Sequence, residues 1–197
     1  MVGGMVAAVT DASDTPSEHS SSGSDGDFGA LITLGYPGPA FRPIPRFTID
    51  VPSSWAVTEF PGAIFIMGPA EDTEDWSNVM LTHQRVLRDT ALEKVARDSW
   101  DNLVAENPDV DLKDERLVRF QAVHYVRELE FPPLGDAPPV SRLDSFVFGP
   151  VGDHATVDLF HFTWLNPAPL GRHFKPLYVK ILSSFRFIDI DPDDESE

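Results

Sequence analysis

The 197-residue chain has no cysteine. That absence excludes a disulfide scaffold, a cysteine-containing zinc site, a thiol nucleophile and lipid attachment through a Cys side chain, and it leaves the redox compartment unreadable. Basic residues are scarce: 15 Lys and Arg stand against 32 Asp and Glu, a net charge of −17. Nucleic-acid binding displaces counterions from phosphates with a stripe of Lys and Arg, and no such cluster occurs. Nucleic acid and anionic membrane surfaces are therefore not expected partners. Long hydrophobic runs are missing as well. The opening "MVGGMVAAVT" is short and carries no basic residue, and nothing else approaches the length of a membrane span. As written, the chain reads as cytoplasmic, without direct membrane insertion.

The acidity that is present sits mostly at the ends. Residues 1 to 30 hold five acids and no Lys or Arg, and residues 189 to 197 hold six acids; the remainder carries 21 acids against 15 bases. "TDASDTPSEHSSSGSDGDFG" has too little apolar surface to offset the entropy of ordering, so residues 1–34 are expected to form a disordered acidic and Ser-rich tail. The proline-rich segment 35–46 reads as an extended lead-in. A single domain follows over 47–188, with 189–197 as an acidic C-terminal tail.

Within that domain the apolar residues keep two different periods. Phe47, Ile49 and Val51 alternate with polar neighbours up to Pro52, and Trp55 opens the next alternating run at a corner where its ring can close the end of a core. "AIFIMG" and "NVMLTHQRV" are further strands. The period then becomes helical: Leu92, Val95, Ala96, Trp100, Leu103 and Val104 form one stripe, Thr90 and Glu93 suit a capping box, and Pro108 marks the end. "ERLVRF", "QAVHYVRELEF", "RLDSFVFG" and "ATVDLFHFTW" return to strand patterning, joined by turn chemistry that implies antiparallel neighbours. A last helix is expected in "KPLYVKILSSF", with Pro176 in its first turn and Leu177, Ile181, Leu182 and Phe185 inward. The fold class is α+β: a twisted antiparallel sheet of about seven strands with two main helices.

This order, together with "FTIDVPSSWAV", "WSNVMLTHQRV", "ALEKVARDSWDNL" and "ILSSFRF", resembles the LpqN-type lipoprotein family of mycobacteria and related actinobacteria. The resemblance spans about Phe47 to Phe187. It implies a PsbP-like, or Mog-like, sheet sandwiched by helices, in a non-enzymatic protein that acts in the envelope or secreted fraction by binding protein partners. Those lipoproteins carry a Cys after an export signal, and this chain shows neither.

No catalytic motif is visible: there is no G-x-S-x-G, P-loop or G-x-G-x-x-G. Asp72, Glu74 and Asp75 lie in one acidic run, which lacks the spacing of an EF-hand and reads as solvated. If the strands bearing His83, His124 and His161 are neighbours, their rings can converge with an acid such as Glu128 or Asp158, yet no H-x-x-x-H pair supports it. Catalytic, cofactor and metal residues are accordingly not expected. The alternative is a small-ligand carrier or metal-assisted hydrolase with a cleft beside the sheet. Partner binding, by an unidentified protein, is expected at the proline-rich connections Phe131 to Val140 and Leu165 to Phe174, which hold out Leu134 and Leu170. Trp76 is either a further exposed anchor or a core ring at the start of the strand with Val79 and Leu81.

Overall fold

The computed structural model describes residues 42–70 and 76–188. The tails, the first part of the proline-rich lead-in, and Asp72, Glu74 and Asp75 lie outside the described residues. Phe47–Thr48 (β1) precedes Trp55–Thr58 (β2), Phe65–Pro69 (β3) and Asn78–Leu87 (β4). The helix Leu92–Glu106 (α1) follows, then Asp111–Arg119 (β5), Val123–Phe131 (β6), Val140–Phe148 (β7) and Thr156–Pro167 (β8). A 3-10 turn at Ala168–Leu170 runs into the helix Gly171–Ser184 (α2), and Arg186–Phe187 (β9) comes last.

Seven strands form one antiparallel sheet in the order β2-β3-β4-β8-β7-β6-β5. The expected α+β architecture is thus observed. β8 lies at the centre, and its continuous burial reflects cover on both faces. One face packs under α2, where Tyr178, Ile181, Leu182 and Phe185 meet Phe160, Phe162, Trp164 and Val147. The other packs under α1, whose Leu92, Val95 and Ala96 meet Phe146 and Leu159. Trp55 closes the first core edge-on against Trp164, at 5.5 Å between ring centroids.

Three local expectations are corrected. The strand read over Phe47 to Val51 is only Phe47–Thr48, and it pairs with β9 outside the main sheet. Phe47 still reaches the core, but Val51 is exposed. The capping box does not form: the N-cap of α1 is Ala91, with no side-chain cap, because the Thr90 amide closes a turn onto Leu87. Finally, α2 starts at Gly171, so Pro176 sits inside the helix rather than in its first turn. The 3-10 turn supplies the earlier start, and "LNPAPLGRHF" is strand, turn and helix rather than a loop.

Candidate functional site

Alternation assigns the strand side chains to the two faces, and this separates the three histidines. His83 is on the α2 face, where its Nε2 lies 2.8 Å from Asp158 Oδ1; Arg85 Nε donates to the same oxygen over 3.1 Å. His124 is on that face too, but three strands away, roughly 14 Å at ordinary strand spacing. It is wholly buried, its Nδ1 lies 2.9 Å from Ser145 Oγ, and Phe120 and Phe185 present ring edges to it. Burial pulls its pKa down to about 4. His161 is on the α1 face. The rings therefore do not converge, and Asp158 serves His83 alone among them.

The α1 face carries a polar row that the sequence reading did not single out. The register places Glu115, Arg127, Asp144, Thr163 and Met80 side by side across β5, β6, β7, β8 and β4. Arg127 and Asp144 are 2% and 1% exposed. Trp100 of α1 covers the Arg127 guanidinium at 5.3 Å, with Tyr125 at 5.7 Å, a cation–π arrangement. Arg127 reaches Glu115 through Nη2 at 3.4 Å. Asp144 Oδ1 accepts from His161 Nε2 (2.8 Å), Arg142 Nε (3.0 Å) and Thr163 Oγ1 (3.2 Å). Burial alone would raise the Asp144 carboxyl, but the bond and charge of His161 and the Arg142 guanidinium hold it below the usual carboxylate range. His161 in turn stacks on Phe146, 4.2 Å away and nearly parallel.

Two concavities flank these groups. A groove of about 550 Å³ runs between α1 and β4, with His161 and Phe146 in its floor. A cleft of about 340 Å³ opens where α2 begins, lined by Lys113, Glu128, Glu130 and Lys175 among others. Arg172 lines it as well; Lys113 pairs with Asp111 (2.6 Å) and Glu130 (3.3 Å), and Lys175 with Glu128. Glu128 thus serves a salt bridge and meets no histidine.

The residues proposed for partner binding divide. Leu134 is 89% exposed at the tip of the β6–β7 connection, beside Gly135, whose φ of +63° turns the chain. Leu170 is half-buried in the 3-10 turn. The two segments do meet at one end of the sheet: Val140 pairs with Pro167, and the Ala168 amide donates to Pro139 O at 2.8 Å. Trp76 stands just before β4 and is 37% exposed, whereas its neighbour Ser77 is buried and accepts from Trp164 Nε1 at 2.6 Å.

No protein-family model matches the chain, and no curated protein matches it either. Solved structures do. LpqN, involved in cell envelope biogenesis of Mycobacterium tuberculosis, superposes with a TM-score of 0.60 at 11% identity, over 78% of this chain and 88% of that one. Cyanobacterial PsbP (CyanoP) from Synechocystis sp. PCC 6803 gives a TM-score of 0.53 at 16% identity, over 81% of this chain and all of that one. At such identities the likeness concerns the fold, which is of the PsbP and LpqN type. Among the described residues, no helix is long and apolar enough to cross a membrane.

Proposed function

We propose that this protein is a non-enzymatic, envelope-associated or secreted binding protein of the LpqN type, and that a partner protein docks at the end of the sheet where Leu134 projects. One observation carries the reading: a leucine 89% exposed at the tip of a connection bracketed by Pro132, Pro133, Pro138 and Pro139. An apolar side chain held out on a proline-stiffened loop loses little entropy on docking and gains by burial. The half-buried Leu170 beside this end would widen the apolar patch. The fold likeness to LpqN, and the envelope role stated for that protein, support the setting. The rival metal-assisted hydrolase loses its geometric basis, since His83, His124 and His161 lie apart on two faces.

The test uses the full-length chain in cells of its source, with a photo-reactive residue at the exposed Asp136. A discrete cross-linked protein adduct is expected from position 136 and not from the distant Val57. Adding Leu134→Asp should abolish the adduct without moving the melting temperature. An adduct indifferent to Leu134→Asp, or none from position 136, would overturn the assignment.

A further inference from the structure

We propose that the outer edge of β5 is a self-association surface, where a second copy of this chain pairs its own β5 antiparallel about a two-fold axis at Leu117. The strand order of the sheet ends at β5, and among the described residues no strand takes up its far side. A nine-residue edge strand presents a row of backbone donors and acceptors for pairing. The bulge at Lys113 disturbs only its first part, so Asp114 to Arg119 run in regular register with β6.

The order of side chains sets both the occupant and the register. Charges on an edge strand usually repel a neighbour, but here opposite signs flank an apolar centre at equal spacing. Glu115, Leu117 and Arg119 share the α1 face, opposite Arg127, Tyr125 and Val123 of β6. α1 packs over β6 and β7, and Leu117 beyond them is 51% exposed. In an antiparallel pair centred on Leu117, this leucine meets its own copy, Glu115 meets Arg119 of the second copy, and Arg119 meets that copy's Glu115. Arg119 is exposed and makes no ion pair among the described residues, and the bond from Arg127 to Glu115 is a long one of 3.4 Å. Both charges are therefore open to a partner across the edge.

No other residue of the regular stretch suits the axis. A two-fold pair of this kind sets one residue of β5 opposite itself. Asp114 or Glu115 there would oppose two carboxylates, Arg116 or Arg119 would oppose two guanidinium groups, and Val118 would set Arg119 against Leu117. With Leu117 on the axis, Arg116 on the other face falls opposite Val118 and keeps its own partners Asp114 and Glu128. The pairing also leaves the Leu134 connection free. That connection follows the Asp111 end of the β5–β6 ladder, so the two tips lie at opposite ends of the joined sheet, and the inference does not depend on what docks there.

Pairing through one strand buries a small area, so a dissociation constant on the order of 100 μM is expected. Sedimentation velocity of the full-length chain from about 5 μM to about 500 μM spans that value. The native chain should pass from monomer to dimer and go no further. Leu117→Asp and Leu117→Lys, both at an exposed position, should each weaken the dimer at least tenfold by setting like charges face to face, with the melting temperature unchanged. An equimolar mixture of these two variants should recover the dimer, because only a residue that opposes itself gives attraction on mixing. Arg119→Glu, which breaks no ion pair within the chain, should weaken it to a similar degree. A chain that stays monomeric at the highest concentration, or forms larger oligomers, would overturn the proposal. So would a dimer indifferent to Arg119→Glu, or Leu117 variants that associate no better mixed than alone.

Discussion

Arg127 and Asp144 stand directly opposite one another in the β6–β7 ladder, both almost wholly buried, and they do not bond to each other. Arg127 leans toward Glu115, leaving Nε and Nη1 without a partner, and Asp144 leans toward His161 and Arg142, leaving Oδ2 without one. A buried charge is costly unless its hydrogen bonds repay desolvation. The two residues meet that condition unequally.

Their substitutions should therefore differ sharply. Arg127→Met keeps the apolar stem that packs under Trp100 and gives up one long bond and the cation–π contacts with Trp100 and Tyr125, against relief of a buried charge with unmet hydrogen bonds, so its effect should be within about 2 kcal/mol of neutral. Asp144→Ala strands Arg142, His161 and Thr163 and should cost about 3 kcal/mol or more. Urea unfolding of both variants gives the comparison; equal losses would mean that Arg127 is as well compensated as Asp144.

The start of α1 offers a gain. Ala91 occupies the N-cap with extended backbone angles (φ −71°, ψ 145°) and no side chain to satisfy the first-turn amides. Ala91→Ser should stabilise the protein by about 1 kcal/mol, whereas Thr90→Ala should leave it nearly unchanged because Thr90 does not cap the helix. Thermal melts decide this, and a loss from Thr90→Ala would restore the capping box.

Gly68 in β3 should tolerate no side chain. A Cβ there would lie 2.6 Å from the carbonyl oxygen of Ser77, a backbone atom that cannot swing aside. Gly68→Ala should cost about 1–3 kcal/mol by overpacking. Because the same shift would disturb the Ser77–Trp164 bond, the loss should appear with altered tryptophan fluorescence.

The elements the sequence made readable are those in which one period dominates. The stripe from Leu92 to Ala96 announced α1, and the alternation in β4 to β8 announced the sheet. Alternation assigns side chains to faces, however, without telling whether a face is covered. Arg127 and Asp144 share their faces with Tyr125 and with Phe146, a signal that charged residues lay on a packed side, but charges in a strand ordinarily read as solvent-facing. The start of α2 was hidden for another reason. Gly171 and Pro176 are both turn-forming types, and only the preceding 3-10 turn lets the helix begin before the proline. Leu134 was legible because proline and glycine around an isolated leucine leave it little core to join. The Asp144–His161 bond was not legible, since it depends on which strands are neighbours.

His124 predicts an acid sensitivity whose sign is definite. Burial lowers its folded pKa to about 4, against about 6.5 in the unfolded chain. Between these values the unfolded state binds more protons than the folded one, so stability is full above about pH 6.5 and falls as pH drops toward 4. A shift of this size corresponds to roughly 3 kcal/mol by the bottom of the window. Asp144 acts in a different window: its lowered pKa contributes stability that persists above the ordinary carboxylate value and is lost only as pH falls below it. Urea titrations at pH 7, 6, 5 and 4 should show the decline in the native chain. His124→Gln keeps a polar partner for Ser145 but cannot take up the proton, so between pH 6.5 and 4 its stability should be flatter even if lower throughout. An equally steep decline in this variant would assign the acid sensitivity to other groups.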